Sequence, residues 1–294
     1  MKYQITHLTR YRYQYDIANC YNHGCLVPRS LPYQKVDSSR IEILPVPSSL
    51  YTRRDFFGNQ HNFFHVNAVH RHLEVKTTSR VNVLSREPET SVSGSMPWEE
   101  ARSSLSRATD EQSLKARLLC TGTRMTPVDT IYGNYARELF EPGLPVLEGA
   151  RRLCHRIFSE FSYDPGFTTI TTPVDEVLRQ KRGVCQDFAQ LAISALRSLG
   201  LPARYVSGYL ETLPPPGQQR LVGADASHAW FSVFAPGEGW VDFDPTNDLM
   251  PADRHITLAF GRDYADVVPL KGLMNGGGHH ELIVEVDVLP LETA

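Results

Sequence analysis

Hydrophobic positions in the first third of the chain recur at every second residue, which is the period of a β-strand that buries one face. The runs are short, and prolines and a Gly-Asn pair separate them, as is typical of turns. The strand-like runs lie at 3–7, 41–43, 63–67 and 73–77, and the turn residues are Pro45, Pro47 and Gly58-Asn59. We therefore predict an antiparallel β domain over residues 1–84.

A change of composition follows this domain. Residues 85–97 are rich in Ser, Glu, Pro and Gly, and Trp98 comes directly after them. Such a composition favours irregular structure, so we predict a linker here. The linker separates the strand-rich N-terminal part from a part with a different hydrophobic period.

Helical periodicity marks the second half of the chain. Apolar residues between 146 and 161 recur at i, i+3 and i+4, which predicts an amphipathic helix. The segment Thr172-Pro173-Val174-Asp175 supplies a capping hydroxyl, a proline and an acid, so a short helix should run from there to about Gly183. A further helix should begin near Cys185 and end at Gly200.

Strand-like runs follow these helices. They lie at 205–210, 229–234 and 240–243, with a last one at 282–288 after three glycines. Helices first and an antiparallel sheet afterwards predict an α+β core, which we place over residues 98–275. Residues 276–294 are predicted to form a C-terminal strand, and the N-terminal β domain is its candidate partner.

Composition narrows the functional classes. The chain has 294 residues, 41% of them hydrophobic, and a formal net charge of -3, so neither nucleic acid nor an anionic membrane is an expected partner. There is no run of about 18 apolar residues for a membrane span, and residues 1–25 lack the apolar stretch of a secretory signal. Five scattered cysteines do not suggest a disulfide framework. We expect a cytoplasmic protein, and its oligomeric state stays open.

One cysteine lies in a setting that suits a nucleophile. Cys185 is at the predicted start of a helix, in Gly183-Val184-Cys185-Gln186-Asp187. The free N–H groups and the dipole of a helix N-terminus favour the thiolate, which is the nucleophilic form. The same N–H groups can stabilise the oxyanion of a tetrahedral intermediate. Asp187 is expected to cap or orient the helix start rather than to take part in the chemistry.

A histidine and an aspartate complete a candidate constellation. His228 opens one predicted strand and Asp244 ends the next one, 16 residues later, which suits two adjacent antiparallel strands. An imidazole beside the thiol can accept its proton, and a carboxylate behind the imidazole fixes its tautomer. We predict that Cys185 is the nucleophile, His228 the base and Asp244 the residue that orients the base. Cys154, on the apolar face of its helix, is expected to be a core residue.

These segments resemble the transglutaminase-like superfamily. The resemblance lies in Gly183-Val184-Cys185-Gln186-Asp187-Phe188-Ala189, in Leu199-Gly200-Leu201-Pro202-Ala203-Arg204-Tyr205-Val206-Ser207-Gly208-Tyr209, in His228-Ala229-Trp230 and in Asp244-Pro245-Thr246. Segments 3–11 and 261–267 resemble the bacterial members, so the resemblance spans most of the chain. It implies a papain/transglutaminase-like core, in which a helix-borne cysteine packs on an antiparallel sheet, and a catalytic triad of Cys185, His228 and Asp244.

The resemblance also bears on the reaction. Members of the group are described as cysteine proteases or transglutaminase-like enzymes, so we expect acyl transfer from a peptide or protein amide through a thioester on Cys185. If water resolves the thioester the protein is a protease or amidase, which we favour, and if an amine does it is a transglutaminase-type acyltransferase. No tryptophan lies between Trp98 and Cys185, so Tyr163 is the candidate for the second oxyanion donor.

Neither a cofactor nor a metal ligand is predicted. No acidic loop has the pattern of a calcium-binding EF-hand, so calcium dependence is not expected. Two alternatives stay open. The first is a binding scaffold that keeps the fold without activity. The second is a metalloenzyme, because Asp225 lies three residues before His228 and could join Asp244 in a metal cluster.

Overall fold

The computed structural model describes residues 1–84, 92–212 and 226–291. Within these ranges the protein contains a large antiparallel sheet, a smaller antiparallel sheet and a set of helices packed against the smaller one. Residues 85–91 of the predicted linker and the candidate metal ligand Asp225 lie outside the described residues. None of the helices in the described ranges combines the length and the apolar character that a membrane span requires.

The N-terminal part of the chain forms most of the larger sheet. Its strands are β1 (Lys2–Gly24), β2 (Gln34–Leu44), β3 (Ser49–Arg54), β4 (Gln60–Val66) and β5 (His70–Val83). They lie in the order β2-β5-β1-β4-β3, and all neighbours are antiparallel. No strand was predicted at the position of β3. Every residue of β3 is exposed, so the strand has no hydrophobic face that the sequence pattern could reveal.

Strand β1 is much longer than its hydrophobic pattern indicates. Alternate side chains face inward along its first half, but two of the inward positions are polar, His7 and Thr9. The two side chains hydrogen-bond each other at 3.1 Å between His7 Nε2 and Thr9 Oγ1, so their burial is compensated. A buried polar pair of this kind interrupts the apolar period without interrupting the strand.

The helical region follows the larger sheet. Its elements are α1 (Trp98–Arg107), α2 (Glu111–Arg117), α3 (Thr130–Arg137), α4 (Val146–Glu160), β6 (Ser162–Tyr163), α5 (Val174–Gln180), β7 (Arg182–Gly183) and α6 (Cys185–Ser198). Helices α4 and α6 confirm the two helices predicted near these positions. Helix α5 ends at Gln180 rather than at Gly183, because Lys181 adopts a left-handed conformation with φ of 54° and closes the last turn.

The smaller sheet carries the rest of the core. Its strands are β8 (Ala203–Leu210), β9 (Ala226–Ala235), β10 (Gly239–Phe243) and β11 (His255–Gly261), in the order β10-β9-β8-β11 with antiparallel neighbours. Helix α6 packs against β8 and β9 and is buried along almost its whole length. The α+β fold that the sequence predicts, with a helix-borne cysteine on an antiparallel sheet, is therefore confirmed.

The C-terminal strands return to the larger sheet. They are β12 (Leu270–Gly276) and β13 (His280–Leu291), and both pair antiparallel with β1. Gly276, Gly277 and Gly278 join them with positive φ values, which a residue with a side chain adopts less readily. Strand β12 lies within the stretch 98–275 that the sequence assigns to the core, but it belongs to the larger sheet.

Two side-chain amides hold the sheets together. Strand β11 is at the edge of the smaller sheet, where its backbone groups need partners from outside. Gln34 donates to the Thr257 carbonyl at 2.7 Å and accepts from the Thr257 N–H at 2.8 Å. Asn59 donates to the Phe260 carbonyl at 2.6 Å and accepts from the Phe260 N–H at 2.9 Å. These contacts fix the larger sheet beside the core.

Candidate active site

The candidate nucleophile Cys185 is the first residue of α6, and the residues around it shape the helix start. The Asp187 carboxylate folds back and accepts hydrogen bonds from the Val184 N–H at 2.9 Å and the Thr168 hydroxyl at 2.7 Å. A side chain at Gly183 would bring its Cβ to 2.9 Å from Asp187 Oδ2, so a glycine is needed there. Asp187 thus caps the helix, as the sequence predicts.

The start of α6 presents backbone N–H donors to the thiol. Cys185 is half-buried, and the first amide groups of α6 have no carbonyl one turn earlier to bond. The positive end of the helix dipole lies at the same place. A negative charge on the sulfur, or on an oxygen bound next to it, therefore meets backbone N–H donors.

The candidate base lies on the sheet beneath this helix. His228 belongs to β9 and is opposite Gly208 of β8. An added Cβ at Gly208 would come within 2.4 Å of the Trp230 ring, so the ring occupies the space that a side chain would need. Trp230 is fully buried in the core, and its ring centroid lies 6.0 Å from that of the His228 imidazole. The buried Trp230 ring thus supports the His228 imidazole from the side of the core.

The structure brings the three sequence-predicted residues together. His228 Nε2 lies 2.7 Å from Asp244 Oδ2, and His228 and Cys185 line the same cleft. Because Nε2 contacts the carboxylate, Nδ1 is the ring nitrogen left for the sulfur. Asp244 directly follows β10 and has no exposed surface, whereas His228 is 8% exposed. The arrangement is a thiol, an imidazole and a carboxylate in sequence.

The Asp244 carboxylate accepts hydrogen bonds from other donors as well as from His228. Its Oδ1 accepts from the backbone N–H groups of Thr246 at 2.9 Å and Asn247 at 3.3 Å. Its Oδ2 also accepts from the Asn247 side-chain amide at 2.7 Å and from His255 Nε2 at 3.0 Å. Sequence reasoning missed Asn247 and His255. The available signal was that both lie in the segment that crosses from the end of β10 to the start of β11.

The surroundings of His228 and Asp244 favour the charged form of each side chain. Burial alone would lower the pKa of His228, but the hydrogen bonds to Asp244 and Cys185 and the charges of both outweigh it and raise the pKa to about 10. Burial alone would raise the pKa of Asp244, but hydrogen bonds from His228 and His255 outweigh it and hold the pKa well below its usual range. At neutral pH His228 is therefore an imidazolium beside an ionised carboxylate.

Among the described residues, one group of side chains could hold a metal ion, and it consists of His228, Asp244 and His255. The ligand atoms of His228, Asp244 and His255 all lie within 4.8 Å of one another. In the structure these atoms contact one another directly, because Asp244 Oδ2 accepts a hydrogen bond from each imidazole. Metal binding would have to replace both hydrogen bonds.

A cleft of about 340 Å³ opens in front of the thiol, and both sheets line it. The core contributes Cys185, Gln186, Tyr205, Ser207, Ser227 and His228, and the larger sheet contributes His7, Thr9 and Tyr11 of β1 and Leu282 and Val284 of β13. Burial lowers the pKa of His7 to about 4, so this histidine brings no positive charge to the cleft at neutral pH. Tyr163, the candidate oxyanion donor, lines the same cleft and is 55% exposed.

Cavity size does not mark this site. A larger cavity of about 610 Å³ lies between Phe56, Phe63 and Leu118, and Cys185 does not line it. Its lining includes no cysteine, whereas the smaller cleft is lined by both the Cys185 thiol and the His228 imidazole. The side-chain chemistry, not the volume, identifies the candidate active site.

Comparison with known proteins agrees with this geometry. The family model described as "Transglutaminase-like superfamily" matches residues 133–245, and the one described as "Bacterial transglutaminase-like N-terminal region" matches residues 3–82. An uncharacterized protein of Mycobacterium tuberculosis is 42% identical over 99% of this chain and 93% of its own length. A protein-glutamine gamma-glutamyltransferase of Pseudomonas aeruginosa is 34% identical over 133 residues, which are 41% of this chain and 20% of that protein.

A solved structure shares the fold. The crystal structure of a "Putative Cysteine Protease" from Cytophaga hutchinsonii superposes with a TM-score of 0.76 at 20% identity, and the match covers 100% of this chain and 92% of that one. At this level of identity the likeness concerns the fold alone. The sequence matches over both parts of the chain establish the family. The chain belongs to the transglutaminase-like superfamily and carries the bacterial transglutaminase-like N-terminal region.

Proposed function

We propose that the protein is a cysteine-dependent acyl-transfer enzyme that acts on a peptide or protein amide. Cys185 is the nucleophile, His228 the general base and acid, and Asp244 the residue that orients His228. The observation that carries the proposal is that Cys185, at the N-terminus of α6, lines the same cleft as His228, whose imidazole contacts the buried Asp244 carboxylate at 2.7 Å. The family is generally enzymatic, which agrees with an active role for these groups.

The first half of the reaction forms a thioester. An imidazolium beside a cysteine sulfur favours the thiolate, which attacks the amide carbonyl carbon to form the carbon–sulfur bond. The negative charge moves to the carbonyl oxygen, where the amide groups at the start of α6 can stabilise it. The carbon–nitrogen bond then breaks, and the proton of His228 goes to the leaving nitrogen. The products of this half are the acyl-Cys185 thioester, a neutral His228 and a free amine or ammonia.

The second half restores the enzyme. Acylation removes the negative charge of Cys185, which is one of the causes of the raised His228 pKa, so the imidazole holds its proton less tightly in the thioester state. Neutral His228 accepts a proton from the incoming water or amine as that nucleophile attacks the thioester. The carbon–sulfur bond breaks, the thiolate returns and His228 keeps the proton. With water the net reaction is amide hydrolysis, and with an amine it is amide exchange.

The acceptor distinguishes two versions of this function. We favour water, which makes the protein a protease or amidase, because the residues that the structure describes present no evident module for a second substrate. Transfer to an amine is the second candidate, and the similarity over 133 residues to the Pseudomonas aeruginosa protein-glutamine gamma-glutamyltransferase favours it. Both versions share the thioester on Cys185.

Trapping the acyl-enzyme tests the proposal. The activated ester p-nitrophenyl acetate should acetylate Cys185, and mass spectrometry of tryptic peptides should locate the adduct there. The Cys185→Ala variant should lose the adduct. Cys120→Ala is the matched control and should retain it, because Cys120 is also half-buried but burial raises its pKa to about 11. An acetyl adduct that persists in Cys185→Ala, or none at all, would contradict the proposal.

The acceptor needs a separate measurement. A glutamine-containing peptide and a fluorescent primary amine are incubated with the enzyme, and the products are separated by mass. Hydrolysis predicts a shortened or deamidated peptide and little amine adduct, whereas transamidation predicts the peptide–amine conjugate. Cys185→Ala serves as the blank for both products.

A further inference from the structure

The Asp244 carboxylate is held by a second imidazole that neither the sequence motifs nor the triad accounts for. We propose that His255 is a positioning residue for the acyl-transfer reaction, which acts by fixing Asp244 and, through it, the tautomer and orientation of His228. Its Nε2 lies 3.0 Å from Asp244 Oδ2, the same oxygen that contacts His228. The inference rests on the proposed function of Cys185 and His228.

The fold brings His255 to Asp244 from the far edge of the smaller sheet. His255 begins β11, at the opposite edge of the smaller sheet from β10, and the crossing segment that starts at Asp244 brings it back to the carboxylate. Its backbone N–H donates to the Ala252 carbonyl at 3.2 Å, which holds the strand start. The Trp230 ring meets its imidazole nearly at right angles, 5.3 Å between centroids. The ring is thus held in place by backbone and by packing.

The two oxygens of the Asp244 carboxylate accept hydrogen bonds from different kinds of donor. Oδ1 already accepts two backbone N–H groups, so a carboxylate that only closed the turn at 244–247 would need no imidazole. Oδ2 accepts from His228, His255 and the Asn247 side chain, and this oxygen is the one that orients the base. A rotation of the carboxylate would break all of these contacts at once. The extra donors therefore hold the orientation that His228 requires.

Burial of the His255 imidazole has a free-energy cost that its hydrogen bond to Asp244 offsets. His255 is only 3% exposed, and a buried polar ring is more costly than an apolar one unless its hydrogen bonds offset the loss of water. An apolar side chain at the start of β11 would pack against Trp230 as well. What the imidazole adds there is an N–H directed at Asp244. That N–H also favours the ionised carboxylate, which must stay charged to stabilise the His228 imidazolium.

Two substitutions separate positioning from packing. His255→Leu keeps an apolar side chain but removes the N–H, whereas His255→Gln places an amide N–H near the position of the imidazole Nε2. We expect His255→Leu to lower kcat for p-nitrophenyl acetate about tenfold with little change in KM, and His255→Gln to recover most of that loss. The signal of the His228 Nε2 proton in histidine-labelled protein should shift in the Leu variant and return toward its original position in the Gln variant.

The control removes a comparable hydrogen bond elsewhere. His61 Nε2 contacts Asp55 Oδ2 at 3.1 Å in the larger sheet, and His61→Leu should leave kcat unchanged. If His255→Leu retains wild-type kcat while Cys185→Ala is inactive, the role of His255 is refuted and the proposed function stands. Equal losses in the Leu and Gln variants would show a packing role and would also overturn the proposal. If Cys185→Ala remains active, the proposed function itself fails.

Discussion

Two aspartates of this protein accept a hydrogen bond from a histidine Nε2, but their surroundings differ. Asp55 directly follows β3 and contacts His61 at 3.1 Å, and its other donors are the backbone and side-chain amides of Asn59. Asp244 lies just after β10 and contacts His228 at 2.7 Å. The Asp55 side chain is 25% exposed, whereas that of Asp244 is fully buried.

The neighbours of each pair explain their different roles. Asp55 holds Asn59 in the geometry in which Asn59 pairs with the backbone of Phe260, so this pair supports the contact between the two sheets. His228, by contrast, has a thiol on its other side, at the N-terminus of a helix. A histidine–carboxylate pair is common structural chemistry. In our proposal it becomes reactive because the fold adds a nucleophile and oxyanion donors.

The largest expected difference between the two pairs comes from removing each carboxylate charge. Asp244→Asn should lower kcat/KM on the order of a thousandfold, because the His228 imidazole can then take the wrong tautomer and its charged form loses its partner. Asp55→Asn is the matched substitution and should leave kcat/KM unchanged. Steady-state kinetics with p-nitrophenyl acetate checks both. Equal effects of the two substitutions would remove the distinction.

A smaller effect is expected at the candidate oxyanion donor. Burial and the nearby Cys185 charge raise the pKa of Tyr163, so its hydroxyl keeps its proton and can donate. Loss of one oxyanion donor costs about a hundredfold in an enclosed site. Because Tyr163 is 55% exposed, we expect Tyr163→Phe to lower kcat only about tenfold. A burst of p-nitrophenolate measures the acylation step directly, and an unchanged burst rate would exclude Tyr163 as a donor.

The raised pKa of His228 also predicts how stability depends on pH. The folded protein holds this proton with a pKa of about 10 against an ordinary value of 6.5, so the contribution is complete below pH 6.5 and is lost as the pH rises toward 10. Thermal unfolding should therefore show a fall in Tm over this window that is smaller in His228→Gln. Parallel curves for the two proteins would contradict the charged pair.

The smallest effect is expected at the junction of the sheets. Asp55→Asn should weaken the hydrogen bonds that hold Asn59 and so reduce the free energy of unfolding by about 1–2 kcal/mol. Chemical denaturation checks this value. Because Asp244→Asn should impair the reaction and Asp55→Asn should lower stability without impairing the reaction, the two variants together test whether the two pairs have separate roles.

Much of the core could be predicted from the sequence. The stretch from 146 to 161 and the helix that begins at Cys185 have long apolar faces, and the strands around His228 and Asp244 have clear composition. The helices at 98–107, 111–117 and 130–137 were not predicted, because they are short. Elements of this length give the hydrophobic period too few turns to be detected.

The site was only partly predictable for a different reason. Cys185, His228 and Asp244 each stand in a local context that suggests a role, and the resemblance to a family links them. His255 has no such context, because its contact with Asp244 depends on the path of the segment between β10 and β11. The contribution of β1 and β13 to the cleft likewise depends on how two sheets dock. The local hydrophobic period of a sequence does not specify the tertiary contacts between distant strands.

The central claim is that the fold makes one of five cysteines reactive. Alkylation by iodoacetamide near neutral pH, followed residue by residue by mass spectrometry, tests it without knowledge of the substrate. Burial raises the pKa of Cys25 to about 12 and of Cys120 to about 11, so both should react slowly. We predict that Cys185 reacts much faster than a free thiol and that His228→Gln removes the advantage. A Cys185 rate no greater than that of free cysteine, or one unaffected by His228→Gln, would contradict the account.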